Sequence, residues 1–321
     1  MIETAIAPRL ESARVAKYRQ AERALWAHHL AEPRERVIEL PRHPAGLRVL
    51  ESGSGPAVLL VHGSGPPGAA SVWTSLTREL PDFRCVMVDL PGDGLSAPLD
   101  EPRTDYPRRL GDLLAELLSA LDIGRAHLVA WSIGGIWALR LAQLHPSRVD
   151  RMVQMGFCPI WDDLKPPAAI RLQTTPIGAV LDRMPVTRAV VRSLLRRVVG
   201  HGASLDAGRI PTELVDWMVA LMRHTDTARN DRSWLPRLIG IGGARPGLGF
   251  ERHELEAIAK PMLYVHGSND WPGSREVAAR TTALMGSGRI HVIERGGHAP
   301  WLDDVEGVAG EVGRFLGIGS T

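Results

Sequence analysis

The spacing of apolar residues divides the chain into stretches of different periodicity. Val15, Tyr18, Ala21, Leu25 and Leu30 recur at helical spacing in a segment rich in Ala, Arg, Glu and Leu, from Glu11 to Leu30, and Pro33 ends it. His28 and His29 are adjacent there, point to different faces and read as surface residues. Arg36-Val37-Ile38-Glu39-Leu40 and Leu47-Arg48-Val49-Leu50-Glu51 then alternate apolar and polar around a Pro/Gly turn, the pattern of a half-exposed antiparallel hairpin. Ala57–Val61, Cys85–Val88 and His127–Ala130 are different. They are short continuous apolar runs, which predicts parallel strands covered on both faces. Helical stretches separate them: Ser71 to Leu80, then Tyr106 to Leu121 with its stripe of Leu110, Leu113, Leu114, Leu117, Leu118 and Leu121.

The same rhythm continues through a helix at Ile136 to Leu144 and a strand at Arg151–Met155, then stops between Pro159 and about Phe250. That stretch holds Pro166-Pro167, Arg-rich helical segments and Trp161, Trp217 and Trp234, and it closes in the glycine-rich run Gly242–Gly249. It predicts a helical insertion on flexible joints that covers the end of the sheet. A strand at Pro261–Val265, a helix from Glu276 to Leu284, a strand at Arg289–Ile293 and a helix from Val305 to Leu316 complete the chain. Alternating strand and helix mean an α/β fold, a mostly parallel doubly wound sheet with an antiparallel start. The expected division is an N-terminal helical extension over 1–33, a core formed by 34–158 and 251–321, and a helical cap over 159–250.

Composition narrows the function classes. With 44% hydrophobic and 23% charged residues the chain is ordinary globular material, and 38 Lys+Arg against 36 Asp+Glu leave a net charge of +2. Nucleic acid is therefore not an expected partner, since such binders carry a basic stripe. The tightest basic cluster, Arg192, Arg196 and Arg197, reads as a solvated helix face. Cys85 and Cys158 lie far apart in apolar segments without metal-ligand or disulfide spacing. No basic start with an apolar h-region and no run of about 20 apolar residues occurs, so the expectation is a cytoplasmic protein with no membrane association.

The candidate chemistry sits at Leu128-Val129-Ala130-Trp131-Ser132-Ile133-Gly134-Gly135, where an apolar strand breaks at a serine flanked by small residues and continues as a helix. Such a turn is a nucleophile elbow: it strains the serine backbone so that the hydroxyl points out of the sheet. The usual pattern is G-x-S-x-G; here Ala130 takes the first glycine position and Gly134 keeps the second. Alone this is a weak signal. Upstream, the strand ending at Val61 runs into the glycine-rich turn His62-Gly63-Ser64-Gly65-Pro66-Pro67-Gly68, and Asp89-Leu90-Pro91-Gly92-Asp93-Gly94 follows the next strand.

With His266-Gly267-Ser268-Asn269-Asp270 and Gly297-His298 added, five motifs stand in the order of the α/β-hydrolase superfamily, which the chain resembles over roughly residues 36 to 317. The resemblance implies a serine hydrolase with a helical cap. A serine hydroxyl needs a base in reach and a third group to orient that base. By the family's order, the catalytic residues are Ser132 as nucleophile, His298 as base and Asp270 as orienting acid, with Asp162 or Asp163 as the competing acid. The backbone N–H groups of Ser64 and Ile133 are the expected oxyanion-hole donors. His62 is expected to brace its turn, and the Asp89–Gly94 turn to connect strand and helix without chemistry.

The implied activity is cleavage of a small or medium apolar ester or lactone through an acyl-enzyme, with no cofactor and no metal, on a small-molecule substrate. Alternatives are carbon–carbon bond hydrolysis of ring-fission products, which the His62–Gly68 turn resembles, acyl transfer or perhydrolysis, and a non-catalytic ligand-binding protein on the same fold. Against the carbon–carbon reading, an extra proline splits the Pro-Gly pair, Ala130-Trp131 precede the serine and Ala299-Pro300-Trp301 follow the histidine. The N-terminal helix leaves room for a homodimer.

Overall fold

The computed structural model describes residues 12–99, 105–161, 171, 172, 175, 178, 185–270, 274–285 and 288–317. Helix α1 (Ala13–His28) opens on Ser12, whose side chain accepts the N–H of Val15. It is followed by the expected hairpin, β1 (Arg34–Leu40) and β2 (His43–Ser52). The core then alternates strand and helix: β3 (Ala57–Val61), α2 (Thr74–Arg78), β4 (Arg84–Val88), α3 (Tyr106–Ala120), β5 (Ala126–Trp131), α4 (Gly134–Leu144) and β6 (Val149–Met155).

After β6 come the helices α5 (Arg188–Arg197), α6 (Gly202–Asp206), α7 (Thr212–His224) and α8 (Thr227–Leu238), a two-residue hairpin of β7 (Ile239–Gly240) and β8 (Gly243–Ala244), and α9 (Arg252–Glu256). The core resumes with β9 (Met262–Gly267), α10 (Ser274–Thr282), β10 (Arg289–Ile293) and α11 (Val305–Leu316). The eight-stranded sheet runs β1-β2-β4-β3-β5-β6-β9-β10, antiparallel at β1, β2 and β4 and parallel from β4 onward.

Period-two alternation explains why both faces are covered. Val58 and Leu60 of β3, Cys85 and Met87 of β4 and Val129 of β5 join one core, with α1, α2 and α11. Leu59, Val61, Val86, Val88 and Leu128 join the other, with α3 and α4. Two details depart from the sequence reading. The stretch expected as one helix from Ser71 to Leu80 is a 3-10 turn at Ala70–Trp73 followed by the short α2, and the glycine-rich run after α8 supplies β8, which pairs with β7 as a hairpin. Trp217 and Trp234 are buried in packing rather than on the cavity wall: Trp234 stacks on Tyr106 at 5.9 Å, and the indole N–H of Trp217 donates to the Tyr18 hydroxyl.

Helix α1 is tied to the sheet by buried charge. Arg48 of β2 forms a two-pronged pair with Glu22 of α1 at 2.9 and 2.8 Å, and reaches Asp89 at 3.1 Å and Glu35 at 2.9 Å. Tyr18 and Ser71 add their hydroxyls to the Glu22 carboxylate, each at 2.7 Å. Removing one member leaves a guanidinium in the interior short of partners, which costs far more than a surface pair. Glu22→Ala is therefore expected to destabilise the protein by about 3 kcal/mol in urea unfolding followed by circular dichroism. A loss below about 1 kcal/mol would mean that apolar contacts alone seat α1.

Candidate active site

The site lies where the parallel strands end. In an open α/β sheet, loops at the C-terminal strand ends face a common crevice. Ser132 follows β5, Ser64 follows β3, Asp270 follows β9 and His298 follows β10. Ser132 has φ of 55°, a left-handed conformation rare for a residue with a Cβ. Three hydrogen bonds hold it there: its N–H donates to Met155 O at 3.0 Å, and its carbonyl accepts from the Gly135 N–H at 3.0 Å and from Gln154 Nε2 at 3.3 Å. Close backbone approach explains the small residues. A Cβ on Gly134 would strike the carbonyl of His62, and one on Gly63 would lie 2.8 Å from the Ser132 Cβ. Ala130 is buried in the same core as Ile133, Ile136 and Trp137.

His298 Nε2 is 2.9 Å from Ser132 Oγ, and His298 Nδ1 is 2.9 Å from Asp270 Oδ1. The second Asp270 oxygen accepts the Phe157 N–H at 2.6 Å. Ser132, His298 and Asp270 thus form one hydrogen-bonded chain, with the Asp270 carboxylate fully buried. An imidazole oriented by a carboxylate and facing a hydroxyl can take the hydroxyl proton, while the carboxylate steadies the imidazolium that results. Asp162 and Asp163 lie outside the described residues.

Ser132, His298, Ser64 and Ile133 open into one cavity of about 120 Å³. Its walls are apolar, with Trp131, Phe157, Leu194, Val198, Met218 and Leu235 prominent, and among the described residues no Arg or Lys lines it. No hydrogen bond among the described residues engages the backbone N–H of Ser64 or Ile133. His62 braces the turn: Nε2 accepts the Leu90 N–H at 3.0 Å, and burial lowers its basicity. Trp131 lines the cavity, and its indole N–H donates to His298 O at 2.9 Å. Cys85 and Cys158 are buried free thiols, and burial pushes Cys85 up to about 12, out of nucleophile range. Among the described residues no cluster of His, Cys, Asp and Glu is set to hold a metal ion, and no helix is long and apolar enough to cross a membrane.

Sequence reasoning missed two groups around this site. His201 lines the cavity and lies against the His298 loop; its signal was the Gly200-His201-Gly202 flanking, similar to that of His298. Asp231 of α8 accepts the N–H of Gly65, beside Ser64, at 3.0 Å. Its helical neighbours Thr227 and Asn230 bind the Asp89–Gly94 turn, so this turn joins core to α8 as well as strand to helix.

The chain belongs to the alpha/beta hydrolase family, whose profile matches residues 58–311. It is 30% identical over 261 residues to a 2-hydroxy-6-oxononadienedioate/2-hydroxy-6-oxononatrienedioate hydrolase of Burkholderia vietnamiensis, covering 76% of this chain and 82% of that protein. It is also 26% identical over 280 residues to a pimeloyl-(acyl-carrier protein) methyl ester esterase of Aeromonas hydrophila, covering 83% and 97%. The crystal structure of carboxylesterase CesB from Bacillus subtilis superimposes with a TM-score of 0.74 at 20% identity, over 96% of this chain and 100% of that one, which establishes the shared fold.

Asp93 offers a test of the rim. Burial first, and the Asp231 carboxylate second, push its carboxyl well above the usual carboxylate range, against the Asn230 amide that lowers it. The folded state then binds its proton more tightly than the unfolded chain, so this group disfavours folding increasingly as pH rises above the ordinary carboxylate value. Asp93→Asn keeps an acceptor for Asn230 and removes that cost. The melting temperature at pH 8 should rise by about 2 °C, with the gain fading towards pH 4. A gain independent of pH, or a loss, in calorimetry at both values would refute the assignment.

Proposed function

We propose that this protein is a serine hydrolase that cleaves an uncharged, apolar carboxylic ester or lactone through an acyl-enzyme. The observation that carries this reading is the hydrogen-bonded chain from Ser132 Oγ through His298 to Asp270, opening into an apolar cavity. Ser132 attacks the ester carbonyl as His298 takes its proton. The N–H groups of Ser64 and Ile133 receive the oxyanion; neither is engaged in a hydrogen bond among the described residues. His298 then protonates the leaving alcohol. A water activated by the same imidazole attacks the acyl carbon, releases the acid and returns the proton to Ser132. Residues 159–250 act as the cap: α5, α7 and α8 supply Leu194, Met218 and Leu235 to the cavity and exclude water from the acyl chain.

The Burkholderia relative makes carbon–carbon bond hydrolysis the second reading. Its named substrates are dioates, and a carboxylate inside this cavity would meet no cationic side chain among the described lining residues. That favours the ester. Ser132→Ala should lower turnover of a short p-nitrophenyl ester by at least about 10³-fold with the melting temperature within about 2 °C of wild type. Unchanged turnover would sink the reading. A chain-length panel of esters beside a ring-fission diketone separates the two chemistries, with the ester panel expected to win by kcat/KM.

A further inference from the structure

A second histidine–carboxylate pair stands outside the Ser132–His298–Asp270 chain. His201, just before α6, is buried at 1% exposure and lines the cavity. Its Nδ1 lies 2.9 Å from Asp303 Oδ2, and its Nε2 accepts the backbone N–H of Ala299 at 3.1 Å. Because Nε2 accepts, the neutral ring carries its proton on Nδ1 and donates it to Asp303. Asp303 also accepts the Gly297 N–H at 2.7 Å and the Ser204 hydroxyl. The Val199 carbonyl accepts the His298 N–H at 2.8 Å. Three consecutive N–H groups, those of Gly297, His298 and Ala299, are therefore held either by the 199–201 segment or by the carboxylate bound to it. Gly297 has no room to spare: a Cβ there would strike Val199 O and lie 2.7 Å from His201 Nδ1.

We propose that His201 is a positioning residue for His298. It acts through the backbone rather than on substrate, so that the seating of residues 199–204 on the 297–303 loop sets the angle at which His298 Nε2 meets Ser132 Oγ. The inference rests on the reading of His298 as general base. The imidazole is carried by an irregular loop between β10 and the 3-10 turn Pro300–Leu302, which supplies no ladder of its own to fix it. Without the acceptor on His201, the Ala299 N–H is left buried and unpaired, and the loop must shift to satisfy it. A displacement of about 1 Å at a reacting group costs roughly hundredfold in rate. The same segment presents Val198, Val199 and His201 to the cavity. An acyl chain that fills the cavity thus presses on the segment that aims the base, and its fit is expressed in kcat more than in KM.

His201→Phe keeps an aromatic ring in the wall and removes both nitrogens, whereas His201→Gln restores a donor and an acceptor. On a short p-nitrophenyl ester the Phe variant is expected to lose roughly 10- to 100-fold in kcat with KM within about threefold, and to label with a fluorophosphonate more slowly by the same factor. The Gln variant should recover most of both. Asp303→Asn, which loosens the same pair without touching the cavity wall, should show the same split and serves if the Phe variant does not fold. A readout that needs no turnover is the low-field proton resonance of His298 Nδ1–H, assigned by its loss in His298→Gln. It should be sharp in wild type and broadened by exchange in His201→Phe. If wild-type protein neither labels nor hydrolyses esters, the hydrolase reading fails while the resonance still decides the positioning role. Folded variants with wild-type kcat and an unchanged resonance, altered only in melting temperature or KM, would overturn it.

Discussion

The left-handed backbone of Ser132 is the constraint on which the rest of the site depends. A non-glycine residue in that region costs about 1–2 kcal/mol, so the surroundings must over-determine it. They do so from the two strands that flank β5. Met155 and Gln154 of β6 bind the Ser132 backbone, and the β3 end brings the His62 carbonyl against Gly134 at the start of α4. That crowding draws the His62–Gly68 turn alongside the serine, and Ser64 and Ile133 line the same cavity. Both residues then share one space with Ser132.

The described part of residues 185–250 grips the core through polar contacts at its edges and apolar ones between. At one edge Thr227, Asn230 and Asp231 bind the Pro91–Gly94 and Gly65 backbones. At the other, Val199 and His201 bind the His298 loop. Between these edges Leu195, Met218 and Leu235 are buried. Directional bonds set where this segment sits, and apolar burial supplies the attraction that holds it there.

The sheet was legible because parallel strands buried on both faces leave continuous apolar runs, and Ala57–Val61, Cys85–Val88 and His127–Ala130 have no competing helical period. Ser132, Asp270 and His298 stood out because each follows such a run among glycines. Helix boundaries near Ser71 were not legible, since the 3-10 turn opens at Ala70, whose N–H is bound by Asp89, a contact 19 residues away in sequence. Asp231 and His201 escaped for a related reason. Each binds a backbone N–H, which carries no residue-type signature, and α8 and the segment before α6 have no period that distinguishes cavity from core. Trp217 was ambiguous because an indole fits either setting, and only the Tyr18 hydroxyl decides it.

The buried tie between α1 and the body has a consequence for how the chain is made. Tyr18 and Glu22 leave the ribosome before the partners that neutralise and cover them: Arg48 first, then Ser71, and Trp217 from 199 residues beyond Tyr18. Until Arg48 is in place, Glu22 cannot be taken out of water without a large penalty. Helix α1 thus finds its final surroundings only after later elements are made, and nascent chains halted before α7 hold an α1 that lacks its Trp217 cover.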